Sequence, residues 1–150
     1  LIEIHVSNLN PVRNSEDKNK LEKEGISNRA KSFSGFILIP VPLHKKRLKE
    51  RGFNQSEEIA KELSKILEIP ALNDVLIKTK QTFNQVDLKK EERERNIKGT
   101  FFCQKRELIA NGKILLVDDV FTTGSTMEES ARVLKEAGAA QVWGITVARG

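Results

Sequence analysis

Residues 114–126 read ILLVDDVFTTGST, and the fold turns on how this stretch is understood. Residues 113–117 (KILLV) form a short apolar run with branched side chains, the signature of a strand buried on both faces. The run ends in two acids, Asp118 and Asp119. Hydroxyls and a glycine follow, and a helix is predicted over about 126–137, with Met127, Ala131 and Leu134 along its inner stripe. Working outward, FILIPV (36–41) predicts a second buried strand ending at Pro42. Residues 56–67 predict a helix with Ile59, Ala60, Leu63, Ile66 and Leu67 on one face and Glu57, Glu58, Lys61, Glu62 and Lys65 on the other. Ser56 or Asn54 caps it, and Pro70 prevents its continuation. Short strands are expected over 75–77 and 141–147 (QVWGITV). Strands alternating with helices specify an α/β chain, a parallel sheet with flanking helices.

The acids and the hydroxyl loop carry the chemistry. In a parallel sheet such a junction lies at the carboxyl edge, where ligands bind. The N–H groups of residues 122–126, at a helix N-terminus, form a phosphate cradle to which Thr122, Thr123, Ser125 and Thr126 add hydroxyls. Gly124 lets the backbone approach an anion closely. Asp118 and Asp119 would repel that phosphate unless they face sugar hydroxyls or a divalent cation, so the pattern describes a site for a ribose 5-phosphate. An apolar strand ending in two acids also resembles a Walker B strand, but no GxxxxGK[ST] occurs anywhere in the chain. Turn and cap requirements would account for Asp118 or Thr122 singly. They do not account for two acids and four hydroxyls within nine residues.

Composition sets the bounds. The chain has 150 residues, 38% hydrophobic and 31% charged, which suits one domain with one core. No apolar stretch approaches the roughly 20 residues that cross a bilayer, so no membrane insertion is expected. No signal-peptide pattern opens the sequence, and one cysteine, Cys103, excludes an internal disulfide or an all-cysteine zinc site in this chain. A cytoplasmic location follows as an expectation. The net charge of +5 is unevenly spread. Residues 44–51 (HKKRLKER) hold five basic residues and one acid, a net of +4, and residues 78–106 hold nine and four, a net of +5, leaving −4 for the rest. Two distant basic segments suit two loops converging on one anion, and suit a spread nucleic-acid footprint or a solvated surface equally well.

Residues 114–126 resemble the phosphoribosyl-pyrophosphate (PRPP) motif of type I phosphoribosyltransferases. IPVPLHKKRLKERGFNQSEEIA (39–60), with Arg93, Asn96, Gly99 and Phe101 in a later RxxN and GxF pattern, resembles the ComF competence-protein family; the resemblance covers about 36–150. It implies a type I phosphoribosyltransferase-like sheet that binds PRPP at its carboxyl edge and Mg²⁺-dependent transfer of phosphoribose to an unidentified acceptor with release of pyrophosphate. By that resemblance Val117, Asp118, Asp119, Thr122, Thr123, Gly124, Ser125 and Thr126 bind PRPP, and Asp118 and Asp119 contact the ribose hydroxyls directly or through Mg²⁺. Leu43, His44 and Lys45 then lie near the pyrophosphate, lined also by Arg51 and Asn54. Asp118, Asp119 and Arg93 form the catalytic set, with residues 81–98 as a closing loop that carries Arg93 or Lys89.

The same resemblance supports a second class of function, a non-catalytic PRPP-fold module that binds single-stranded DNA or a competence-machinery protein during DNA uptake. Proteins of this family usually begin with a cysteine-rich zinc ribbon, and no such module is visible here. Residues 1–35 read as an irregular N-terminal segment, a hood remnant or a loop, ahead of a core over 36–150; a dimer is compatible with the pattern. His5 and Trp143 read as structural and Cys103 as packed. His44 reads equally as a phosphate donor or a turn residue. Phe53 and Phe83 are the better candidates for stacking a base, although simple hydrophobic anchoring explains them as well.

Overall fold

The computed structural model describes residues 5–8, 33–80 and 96–149. The expectations for the remainder of 1–34 and for 81–95, among them the closing loop with Phe83, Lys89 and Arg93, lie outside the described residues.

Strands β1 (His5–Asn8), β2 (Phe36–Pro40), β5 (Lys113–Phe121) and β6 (Gln141–Arg149) form one sheet in the order β1-β6-β5-β2. β2, β5 and β6 are parallel, and β1 adds an antiparallel edge against β6. A strand thus occupies part of the segment read as irregular. Helices α1 (Lys45–Arg51) and α2 (Gln55–Leu67) follow β2, and α3 (Ser125–Glu136) links β5 to β6. A separate two-stranded ribbon pairs β3 (Leu76–Lys78) with β4 (Phe101–Cys103), antiparallel.

Strand alternation divides the core between the two faces. On one face Ile39, Ile114, Leu116 and Val142 pack with Met127, Ala131 and Leu134 of α3 and with Leu76, Phe101 and Cys103 of the ribbon. On the other, Phe36, Leu38, Leu115, Val117 and Ile145 pack with Ala60, Leu63 and Leu67 of α2. β5 is apolar at every position from 114 to 117 because both faces are covered. Trp143 lies beside this second cluster with its ring edge-on to Phe36 at 6.0 Å, and Cys103 is buried, so both are packing residues.

Two elements differ from the sequence expectation. β5 continues through Asp118 and Asp119 to Phe121, because β6 is equally long and pairs with it as far as Arg149. Residues 45–51, read as a basic loop, form a helix. Lys, Arg, Leu and Glu are good helix formers, but the segment has no apolar face to reveal it, and its one large hydrophobic residue, Leu48, is 37% exposed.

The connections place the crevice. The chain leaves β2 toward α2 on one face and leaves β5 toward α3 on the other, which makes the β2/β5 boundary a topological switch point. β2 pairs with β5 only as far as Pro40↔Val117, so from Asp118 onward β5 has a neighbour on the β6 side alone.

Candidate functional site

Asp118 stands where the two strands part. α2 closes the crevice from one face: Asn54 caps it, its side-chain oxygen accepting from the Ser56 N–H at 3.1 Å. The Asn54 amide donates to the Val41 carbonyl and to Glu57, both at 3.1 Å, and Val41 N–H donates to the Val117 carbonyl at 2.8 Å. This chain of bonds ties the start of α2 to the end of β2. It places Ser56 so that its hydroxyl donates to Asp118 Oδ1 at 3.0 Å, across 62 residues of sequence. The Asp119 N–H donates to the same oxygen at 3.0 Å.

Burial pushes the Asp118 carboxyl up to about 7, and the neighbouring Asp119 charge pushes the same way. Asp119 accepts from the Val120 N–H at 2.9 Å. Lys78, at the end of β3, is drawn toward the same place. Burial and then the Arg47 charge lower its ammonium to about 8, while Asp118 opposes that shift, and the ammonium lies 5.4 Å from the centre of the Phe101 ring. Lys78 therefore lies within electrostatic range of both Arg47 and Asp118.

The cradle forms the other wall. Gly124 is the residue before α3, at φ 83°, and offers no side-chain cap to the first turn. The Ser125 N–H makes a long bond of 3.5 Å to the Thr123 hydroxyl, and the N–H groups that follow it in the first turn meet no cap side chain and keep their capacity for an anion. Thr123 and Ser125 share a hydroxyl–hydroxyl bond of 2.8 Å. The Phe121 ring presses on Gly124 so closely that a Cβ there would meet it at 2.8 Å. Asp118, Phe121, Thr122, Gly124 and Thr126 line a recess of about 20 Å³, room for one water, beside the first turn of α3.

The expected residues divide into three groups. Asp118, Thr122, Gly124 and Thr126 line one recess, and Asp119, Thr123 and Ser125 stand next to them in the chain. Leu43, His44 and Lys45 lie in the passage from β2 into α1; the His44 ring caps α1, accepting from the Lys46 N–H at 3.4 Å. Val117, Asn54 and Arg51 sit differently. The Val117 side chain is wholly buried in the core, the Asn54 side chain is committed to its three internal bonds, and Arg51 is exposed at the far end of α1. Sequence reading missed Ser56 as a partner of Asp118, and missed Lys78 and Arg47 individually. Only the cluster of basic residues hinted at the last two.

A phosphoribosyl transferase domain model matches residues 54–150. The match begins at the cap of α2 and includes both walls of the crevice. Competence protein F of Haemophilus influenzae is 38% identical over 111 residues, which is 72% of this chain and 48% of that protein. Competence protein ComFC of Bacillus subtilis is 37% identical over 115 residues, 76% of this chain and 45% of that protein. DNA utilization protein YhgH of Escherichia coli K12 is 39% identical over 109 residues, 71% and 47% respectively. The chain belongs to the ComF family of phosphoribosyltransferase-like proteins. It spans about half the length of the curated relatives it matches.

Among the described residues no three His, Cys, Asp or Glu side chains converge as a metal cage, and no helix is long and apolar enough to cross a membrane. The donor set at the crevice, Asp118 and Asp119 beside serine and threonine hydroxyls, fits a hard cation such as Mg²⁺ that draws most of its ligands from substrate and water.

Proposed function

We propose that the ComF-family crevice binds PRPP and transfers its phosphoribosyl group to a nitrogen nucleophile, releasing pyrophosphate. The observation that carries this reading is the juxtaposition of the partly buried Asp118, held by Ser56, with the open first turn of α3 at the β2/β5 switch point. In this reading the N–H and hydroxyl groups of Thr122, Thr123, Gly124, Ser125 and Thr126 hold the 5-phosphate, and Asp118 and Asp119 accept from the ribose hydroxyls. Lys78 and Arg47, with His44 and Lys45 at the start of α1, face the pyrophosphate. Breaking the C1–oxygen bond leaves an oxocarbenium-like ribose and a highly charged leaving group. Cations already in place favour that separation without reorganising. Mg²⁺ held through Asp118 and Asp119 would supply further charge neutralisation on the pyrophosphate. Arg93, outside the described residues, is assigned to the same catalytic set by resemblance alone.

The test is calorimetric titration of PRPP with and without Mg²⁺, using the wild-type chain and Asp118→Asn/Asp119→Asn. Binding that needs Mg²⁺ and disappears in the double variant is expected, and its absence in the wild type overturns the reading. Pyrophosphate release in the presence of purine or pyrimidine bases then separates transfer from simple retention. A second reading, a module that holds single-stranded DNA without turnover, is favoured by the exposed basic helix α1 beside Phe53, which is 52% exposed, and by the relatives named for competence and DNA utilization. Retention of labelled single-stranded DNA that falls steeply with salt is its signature.

A further inference from the structure

Glu129 is 7% exposed and lies one helical turn inside α3, and its carboxylate does not line the recess at Asp118. Its Oε1 accepts the Gly99 N–H at 2.7 Å. Both its oxygens also accept from Arg132, each at 2.8 Å, and Arg132 pairs in turn with Glu136. The Arg132 guanidinium holds the Glu129 carboxyl below the usual carboxylate range, with the Gly99 N–H helping and burial opposing, so this acceptor is charged at neutral pH. A buried carboxylate that accepts three such bonds is a costly group to keep unless it fixes a geometry.

That geometry leads to Lys78. Gly99, at φ 69°, turns the chain into Thr100, whose N–H and hydroxyl both donate to the Ile97 carbonyl. The Thr100 carbonyl accepts from the N–H and hydroxyl of Thr79, at 2.7 and 3.1 Å. The next pair in register is Phe101 with Lys78, and the Phe101 ring underlies the Lys78 ammonium. Glu129 thus fastens the end of the ribbon that carries Lys78 to the helix whose first turn forms the cradle.

We infer that Glu129 is a positioning residue that sets the distance between the Lys78 ammonium and the cradle, and hence between the pyrophosphate and 5-phosphate subsites. The inference rests on the proposed function and deepens it. The two anion subsites lie on different elements, the ribbon and α3, and their separation must match one substrate. Hydrophobic packing of Phe101 and Cys103 against Met127 and Ala131 holds the ribbon on α3 without specifying its position along the helix. The directed bonds of Glu129 supply that specification.

The test titrates the full 150-residue chain with Mg²⁺-pyrophosphate and, separately, with ribose 5-phosphate. Glu129→Ala is expected to weaken pyrophosphate about 10-fold and leave ribose 5-phosphate within about 2-fold. Glu129→Gln keeps an oxygen for Gly99 and is expected to recover most of the loss. Equal weakening of both ligands, or of neither, overturns the inference, as does failure of Gln to rescue. If the wild type takes up neither anion, the proposed function fails. The positioning claim is then judged without ligand, by amide NMR. The Lys78 and Phe101 signals must move in Glu129→Ala and return in Glu129→Gln, and unmoved signals overturn it.

Discussion

At the scale of single residues, Asp118 is the informative group. Its folded-state carboxyl titrates near 7, against about 4 for an unfolded aspartate, chiefly because it is buried. Between those two values the folded chain binds the proton more tightly than the unfolded chain. The stability contributed is therefore fully present below about pH 4 and is lost as the pH rises toward 7. Asp118→Asn keeps a partner for Ser56 and removes the charge. In chelator-treated buffer it is expected to raise the melting temperature by several degrees at pH 8 and to change it little at pH 4, while abolishing PRPP binding. A destabilised Asp118→Asn at pH 8 would show that the carboxylate contributes stability beyond its titration. Gly124 makes the opposite case, since its φ of 83° and the adjacent Phe121 ring leave no space for a side chain. Gly124→Ala is expected to lower stability by about 1–2 kcal/mol in urea melts and to weaken ribose 5-phosphate binding as the cradle distorts.

At the scale of elements, α2 matters as much for where it begins as for the face it buries. Its apolar stripe is readable from spacing, but its cap carries the functional consequence. Asn54 satisfies the helix start and binds the Val41 carbonyl, and so aims Ser56 at Asp118. Asn54→Ala is expected to lower stability by about 2 kcal/mol by denaturant unfolding and to reduce ribose 5-phosphate affinity, although no atom of Asn54 is assigned to the ligand. Asn54→Asp restores the cap but not the bond to Val41, and should fall between. Resemblance marked Asn54 as a pyrophosphate residue, whereas its placement gives it internal work. Residue type and motif do not distinguish a side chain that touches a ligand from one that holds the neighbour that does. The same blindness hid α1, because a helix without an apolar face has no periodicity to read.

At the scale of the whole molecule, the charge map and the fold meet. The basic helix α1 reaches Lys78 electrostatically through Arg47, and Lys78 carries the second basic segment into range of Asp118. Lys46 and Lys49 are exposed cations on α1 outside the proposed phosphoribosyl site. Reversing both, Lys46→Glu/Lys49→Glu, is expected to leave Mg²⁺-dependent PRPP binding within about 2-fold at moderate salt, where the screening length is about 10 Å. The same variant should remove retention of single-stranded DNA, with the salt slope falling by about 0.7 for each phosphate that is no longer neutralised. A PRPP site that collapses in this variant would mean that α1 meets the ligand along its length.

The sequence by itself determined the parallel sheet, through the two-sided apolar runs at 36–41 and 113–117, and it marked the acid pair and hydroxyl loop of 118–126 as the place for chemistry. These are local signals, since burial on both faces and a turn into a helix are written in consecutive residues. Only the tertiary structure decided which polar groups meet there. The Ser56 bond to Asp118, the approach of Lys78 and Arg47, and the hold of Glu129 on Gly99 all join segments far apart in the chain. Periodicity records which face of an element is buried, but a directed bond between two buried polar groups depends on the angle and depth at which those elements pack.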